Sequence, residues 1–289
     1  MLNTPSRIIR KIDLETDSID TELEVLSSKI KIEEEYDEYS SGYWQNISLW
    51  NRSGCENNTL YSNFNEKGKK TGYCNLLPTI TSIVEENFDL TYLKMVRVRT
   101  LKNAVLVPHR DFVELDDKVK YFRVFVPLNE SKYAYHGDEH SVFRMRLGEV
   151  WYLNAALIHS AVNLQDNNRV HLCLDFAFDR DFHPSDIFLN PENFNVSHDV
   201  ELVKRSVISD SEINRIIDGF SLGIDKHNFK DTLFFLSKIY YTYDISITTV
   251  YQWLVHICAR SDNQELIEKS QKLQNFMLNH RTLNERFEF

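Results

Sequence analysis

The sequence predicts an α+β protein, an antiparallel sandwich or jelly roll followed by a small helical bundle. Three observations carry this. Between residues 92 and 178 lie seven short runs rich in Val, Leu, Phe and Tyr, separated by turn-like pieces such as Asp166-Asn167-Asn168 and Leu147-Gly148-Glu149. Near residue 190 the composition shifts, with two of the six prolines, Pro184 and Pro191, among several Asn and Asp residues. Beyond residue 209 the apolar residues recur at helical spacing.

In chain order, residues 10–30 read as a helix, with Asp17 or Ser18 as a cap before Ile19, Leu23, Val25 and Leu26. Strands are expected at 92–100, 104–108, 121–128, 141–145, 150–153, 157–162 and 169–178. Residues 179–198 read as a linker. Ser209-Asp210-Ser211-Glu212 then has the form of a capping box, and Ile213, Ile216, Ile217 and Phe220 follow at helical spacing. Further stripes run through Leu233, Phe234, Leu236, Ile239 and Tyr240, through Val250, Trp253, Leu254 and Ile257, and through Leu266, Ile267, Leu273 and Phe276. They are expected to pack a core. The division is a domain over 1–190, a jelly roll with N-terminal helical elements, and a helical domain over 191–289.

The 289 residues carry 33 Lys and Arg against 43 Asp and Glu, a net charge of −10. Such a surplus of acid repels phosphate backbones, and the longest basic cluster, Lys67-Gly68-Lys69-Lys70, is short. No nucleic-acid partner is expected. No stretch approaches the roughly 20 apolar residues of a membrane helix. The start, Met1-Leu2-Asn3-Thr4-Pro5-Ser6-Arg7, lacks the apolar run of a signal peptide. Cys55, Cys74, Cys173 and Cys258 are scattered, with no C-x-x-C pair, so neither a disulfide nor a zinc framework is expected. A cytoplasmic location follows as the expectation.

One cluster carries chemistry: His109-Arg110-Asp111, then His159, then Arg169. Residues i and i+2 of an extended segment point to one face, so His109 and Asp111 can ligate together. His159, on a separate apolar strand, can close the third corner. Two imidazoles and one carboxylate hold ferrous iron and leave coordination positions open, as in mononuclear non-heme oxygenases. Arg169 follows His159 across a hairpin turn, which brings a bidentate, permanently charged clamp for a carboxylate beside that pocket. Arg169, His171, Cys173 and Asp175 share one strand face, and Val170, Leu172, Leu174 and Phe176 the other. The polar face is expected to line a wet cavity. The H-R-D triplet also occurs in protein kinases, but that signature wants Asn where Asp116 stands, together with a glycine-rich loop and a D-F-G, all absent here.

The runs Pro108-His109-Arg110-Asp111-Phe112-Val113-Glu114-Leu115, Gly148-Glu149-Val150-Trp151-Tyr152-Leu153 and His159-Ser160-Ala161 resemble the bacterial free-proline hydroxylases, the proline 3-hydroxylase type most of all. This group lies in the aspartyl/asparaginyl β-hydroxylase branch of the Fe(II)/2-oxoglutarate dioxygenases. Glu33-Glu34-Glu35-Tyr36-Asp37-Glu38-Tyr39, Gly42-Tyr43-Trp44 and the segment from Leu236 to Asp244 are similar too, so the likeness covers nearly the whole chain. The resemblance implies a double-stranded β-helix core, Fe(II) on His109, Asp111 and His159, and the distal carboxylate of 2-oxoglutarate on Arg169, with His171 adding a hydrogen bond. It implies a reaction in which O2 and 2-oxoglutarate give succinate, CO2 and a hydroxylated carbon, with no general base.

The substrate it implies is a free cyclic amino acid, L-proline or L-pipecolic acid. Arg99 and Arg123 are the candidates for its carboxylate. Arg99 is preferred over Arg97 because it aligns with an arginine of the proline hydroxylases, and Arg123 shares a face with Tyr121 and Phe125. His136, in Tyr135-His136-Gly137-Asp138, lies in a stretch that reads as a lid, and no role is assigned to it. Two alternatives stand beside this reading: hydroxylation of another free amino acid or of Asp or Asn side chains in a polypeptide, and a jelly roll that binds metal or small acids without turnover.

Overall fold

The computed structural model describes residues 5–29, 38–62, 64–111, 120–282 and 285–289. Its elements run β1 (Arg7–Lys11), α1 (Thr16–Lys29), β2 (Ser40–Asn51), β3 (Lys69–Lys70), α2 (Pro78–Asn87), β4 (Leu93–His109), β5 (Lys120–Pro127), β6 (Ala134–Asp138), β7 (Val142–Arg144), β8 (Glu149–Leu153), β9 (His159–Asn163), β10 (Arg169–Phe178) and β11 (Glu201–Leu202). The helices α3 (Asp210–Ser221), α4 (Phe229–Ile239), α5 (Thr249–Arg260) and α6 (Gln264–Leu278) follow.

All named strand pairs are antiparallel, and the order across the curled sheet is β1-β8-β5-β10-β4-β9-β6-β7-β11, with β2 alongside β4. The α+β jelly-roll expectation agrees with this sheet and its helical C-terminal region. Strand β4 belongs to both layers: Leu93 to Leu101 pair with β10, and Ala104 to His109 pair with β9. Two strands were expected there, split at Lys102-Asn103. The chain instead continues through Asn103 at φ 41°, a left-handed conformation that Asn tolerates better than most residues.

Other differences have local causes. The stretch read as a lid is the strand β6, held between β9 and β7. Gly137 suits it because a Cβ there would lie 2.5 Å from the Tyr240 ring. The helix read from residue 10 begins at Thr16, because Arg7–Lys11 add an edge strand to β8. Strand β2 and helix α2 were not expected. The latter starts at Pro78 without a cap of its own, and Glu22 of α1 accepts hydrogen bonds from the amides of Thr79 (2.6 Å) and Ile80 (3.0 Å) instead. The quoted segments 33–37 and 112–115 lie outside the described residues.

Val170, Leu172, Leu174 and Phe176 enter one apolar core with residues of α1 and α2, such as Ile19, Leu26, Ile80 and Val84. Of the opposite face, expected to line a wet cavity, only Arg169 does so; His171 and Asp175 lie behind the lining, and Cys173 packs in an apolar cluster with Phe125 and Trp151. All four helical stripes are realised as α3 to α6, and the Ser209–Glu212 capping box closes both ways. Their core also takes in Val105 and Val107 of β4 and Val162 of β9, so the bundle packs on the end of the sheet that carries the histidines. Among the described residues no helix is long and apolar enough to cross a membrane. The four cysteines are free.

Candidate active site

The sheet brings the three candidate ligands together. His109 ends β4, His159 opens β9, and the two are register partners. Asp111 stands two residues past His109, beyond the end of the strand, and its amide donates to the Ala155 carbonyl (2.9 Å). One ligand atom from each of His109, Asp111 and His159 lies within 4.8 Å of the others. His109 Nε2 is 3.5 Å from one Asp111 oxygen and His159 Nε2 is 3.9 Å from the other.

The hydrogen bonds behind the rings set their tautomers. His109 Nδ1 is 2.7 Å from the Val107 carbonyl and His159 Nδ1 is 3.0 Å from that of Leu157. A carbonyl only accepts, so each Nδ1 carries a proton and each Nε2 is turned to the shared space. Burial, then the neighbouring His109, lowers His159 to about 3, so it is neutral at ordinary pH. Burial works to raise the Asp111 carboxyl, but Arg123 and the two histidines outweigh it and hold it well below the usual carboxylate range. Two imidazoles that each turn Nε2 to the shared space, with an ionised carboxylate beside them, form a donor set that suits a ferrous ion.

Five arginines reach the same cavity, Arg97, Arg99, Arg123, Arg169 and Arg281. Asp175, 1% exposed, accepts from Arg97 (2.5 Å) and from Arg123 Nε (2.6 Å), and Arg123 also donates to Asp111. Arg123 therefore reaches the pocket with its guanidinium already committed to two carboxylates. The sequence reading of it as a substrate anchor overlooked these partners. Arg99 lies over the Phe125 ring (5.7 Å), and its buried Nε has no hydrogen-bond partner among the described residues. Burial lowers it to about 10.

Arg169 is buried and has no carboxylate partner among the described residues. Its Nε donates to His171 Nε2 (3.2 Å) and a terminal nitrogen lies 2.5 Å from His136 Nε2. A guanidinium has donors only, so both imidazole nitrogens accept and both rings are neutral. Burial, and after it the Arg169 charge, holds His136 and His171 well below their ordinary value. Burial lowers Arg169 itself to about 9. The Nδ1 of His136 is buried with no hydrogen-bond partner among the described residues. The stretch first read as a lid thus supplies a cavity wall.

Sequence reading missed other parts of the wall. Trp44 and Asn46 come from β2, Thr59 and Tyr61 from the following loop, and Arg281 from beyond α6. For β2 a signal existed: Trp44 and Asn46 alternate with Ile47 and Leu49, which enter the apolar core.

Known proteins match this arrangement. A model of the aspartyl/asparaginyl β-hydroxylases matches residues 13–178, and a model of the L-proline 3-hydroxylase C-terminal region matches 184–285. An L-proline cis-3-hydroxylase from Streptomyces is 39% identical over 98% of each chain. An L-proline cis-4-hydroxylase from Rhizobium meliloti is 31% identical over 86% of this chain and 88% of its own. Among solved structures, a viral collagen prolyl hydroxylase aligns over 61% of this chain and 97% of its own, at 11% identity and a TM-score of 0.37, a superposition too loose to bear on the site. With the first model covering more than half of the sequence and relatives this similar along its length, the chain belongs to the aspartyl/asparaginyl β-hydroxylase family, in the branch that carries the proline 3-hydroxylase C-terminal region.

Proposed function

We propose that this chain is an Fe(II)- and 2-oxoglutarate-dependent dioxygenase that hydroxylates a ring carbon of a free cyclic amino acid, L-proline or its six-membered homologue L-pipecolic acid. The observation that carries the reading is a His-Asp-His cluster beside two guanidinium groups, Arg169 buried and Arg99 half-buried, without carboxylate partners among the described residues. An uncompensated buried charge costs several kcal/mol, which an incoming carboxylate offsets. A reaction that takes in one dicarboxylate and one amino acid needs such receptors.

His109, Asp111 and His159 would hold the ferrous ion. Bound there, the metal supplies the oxidising chemistry: 2-oxoglutarate, O2 and a C–H bond become succinate, CO2 and a C–OH. Arg169 would take the distal carboxylate of 2-oxoglutarate, with His136 and His171 keeping its guanidinium aimed. Arg99 would take the carboxylate of the amino acid, and Arg123 would hold the outer oxygen of Asp111. No side chain needs to act as a general base. The protein's task is to place one C–H nearest the metal. One methylene in a pocket is worth about 1–3 kcal/mol, so both ring sizes belong in the assay. Four free thiols suit a reducing compartment, the cytoplasm.

The test is incubation of the purified protein with Fe(II), 2-oxoglutarate, O2 and either proline or pipecolate. Hydroxylated product and succinate in equal amounts are expected, with the position assigned by NMR. Succinate formation that no free amino acid stimulates, but that an Asp- or Asn-containing peptide does, overturns the substrate. Absence of Fe(II)-dependent 2-oxoglutarate consumption overturns the reaction.

A further inference from the structure

The sheet stops short of the residues that matter most. The β4–β9 ladder runs in register up to Leu106–Ala161 and then shifts before His109–His159. Past that irregularity the backbone of the ligand triplet must find partners elsewhere, since buried peptide groups are costly to leave unpaired. Helices supply them. Tyr251 of α5 donates its hydroxyl to the carbonyl of Pro108 (2.5 Å), the residue before His109. The amide of Arg110, between the two ligands, donates to the Met277 carbonyl of α6 (3.1 Å). The carbonyl of Arg110 accepts from the Arg281 guanidinium (2.9 Å).

The other histidine is held in the same way. Tyr241, just past α4, donates to the Ser160 hydroxyl (2.8 Å), which donates to the Leu106 carbonyl (2.6 Å) and so ties β9 to β4 beside His159. Tyr240 donates to the carbonyl of Asp138 (3.0 Å), the register partner of His159 on β6. These three tyrosines are at most 5% exposed. An unpaired buried hydroxyl costs about 1–3 kcal/mol, yet each reaches an acceptor next to a candidate ligand or its pairing partner.

We propose that the helical C-terminal region is a clamp that aims the metal ligands: Tyr251, Met277 and Arg281 fix the His109–Arg110–Asp111 backbone, and Tyr240 and Tyr241 fix the strand of His159. It rests on the metal reading above and gives the helical region its part in that site. The tyrosines are positioning residues, because they touch neither metal nor substrate. Groups that orient ligands from behind typically change metal affinity 10- to 100-fold when removed.

The test uses Co(II) as the probe with full-length, metal-free protein, reading the dissociation constant and the visible ligand-field absorption. Tyr251→Phe is expected to weaken Co(II) about tenfold and to alter the absorption band, with the far-UV circular dichroism unchanged. Tyr241→Phe provides the same measurement from the His159 side should Tyr251→Phe not fold. Ser270→Ala is the control: its hydroxyl is fully buried in α6 and donates to the Ile267 carbonyl, away from the triplet. It is expected to bind Co(II) as the wild type does. Wild-type affinity and spectrum in both tyrosine variants overturn the clamp, and so does an equal loss in Ser270→Ala, since affinity would then follow helix stability alone. A wild-type protein that takes up no Co(II) overturns the metal reading as well, which separates the two failures.

Discussion

Arg97 and Arg123 face carboxylates inside the protein, whereas Arg99 and Arg169 line the same cavity with no carboxylate partner among the described residues. Register makes the difference. Asp175 of β10 lies directly opposite Arg123 on β5 and diagonal to Arg97 on β4, while Arg99 lies opposite His171. Arg97 and Arg99 are two residues apart on one strand face and have opposite fates. The first pair is consumed in holding the site together. In the proposed reaction, the second keeps its charge for a ligand.

The largest expected effect tests the consumed pair. Asp175→Asn leaves two buried guanidinium groups short of a counter-charge, and a loss of about 3–5 kcal/mol in urea unfolding at neutral pH is expected. A variant as stable as the wild type would show that these pairs do not hold the site. Next comes the open pair. Arg169→Ala should raise the 2-oxoglutarate dissociation constant on the order of 100-fold while the amino-acid KM stays near the wild-type value. Arg99→Ala should do the reverse, raising the amino-acid KM about tenfold and leaving 2-oxoglutarate binding alone. If Arg99→Ala weakens 2-oxoglutarate instead, both open arginines serve the cosubstrate.

The smallest effect separates the two sides by pH. His136 and His171, neutral beside Arg169, are held below their ordinary value, so the unfolded chain takes up protons that the folded one refuses. Stability of the metal-free protein should therefore fall as pH drops below about 6.5, by up to roughly 1.4 kcal/mol per pH unit for each histidine. Asp175 is held low despite its burial, chiefly by Arg123 and then Arg97. Its contribution is present above about pH 4 and is lost only as pH falls further. Melting temperatures from pH 7.5 to 3 should show two acid phases, and His136→Gln should shrink only the upper one. A single phase below pH 4 would contradict the neutral histidines.

Much of the site was legible because it is written in short-range spacing. The i, i+2 relation of His109 and Asp111, and the alternation along 169–178, both follow from strand geometry, and β10 spans those residues. What escaped depends on distant partners. That Asp175 shares a face with Arg169 was readable, but not that it pairs with Arg123, 52 residues away. β6 escaped because Gly137 interrupts its apolar pattern for the sake of a tyrosine ring about a hundred residues later. β4 read as two strands because a polar Lys102-Asn103 step looks like a turn, and only the neighbouring strands carry the chain through it.

The bond from Tyr251 to Pro108 spans 143 positions and that from Arg281 to Arg110 spans 171. During synthesis both imidazoles and the acid emerge well before the groups that grip them. On the proposed clamp, the centre takes its working shape only after translation has passed Arg281, and iron arriving earlier would meet a half-built socket. A chain cut short of Tyr251 would lack both of these bonds.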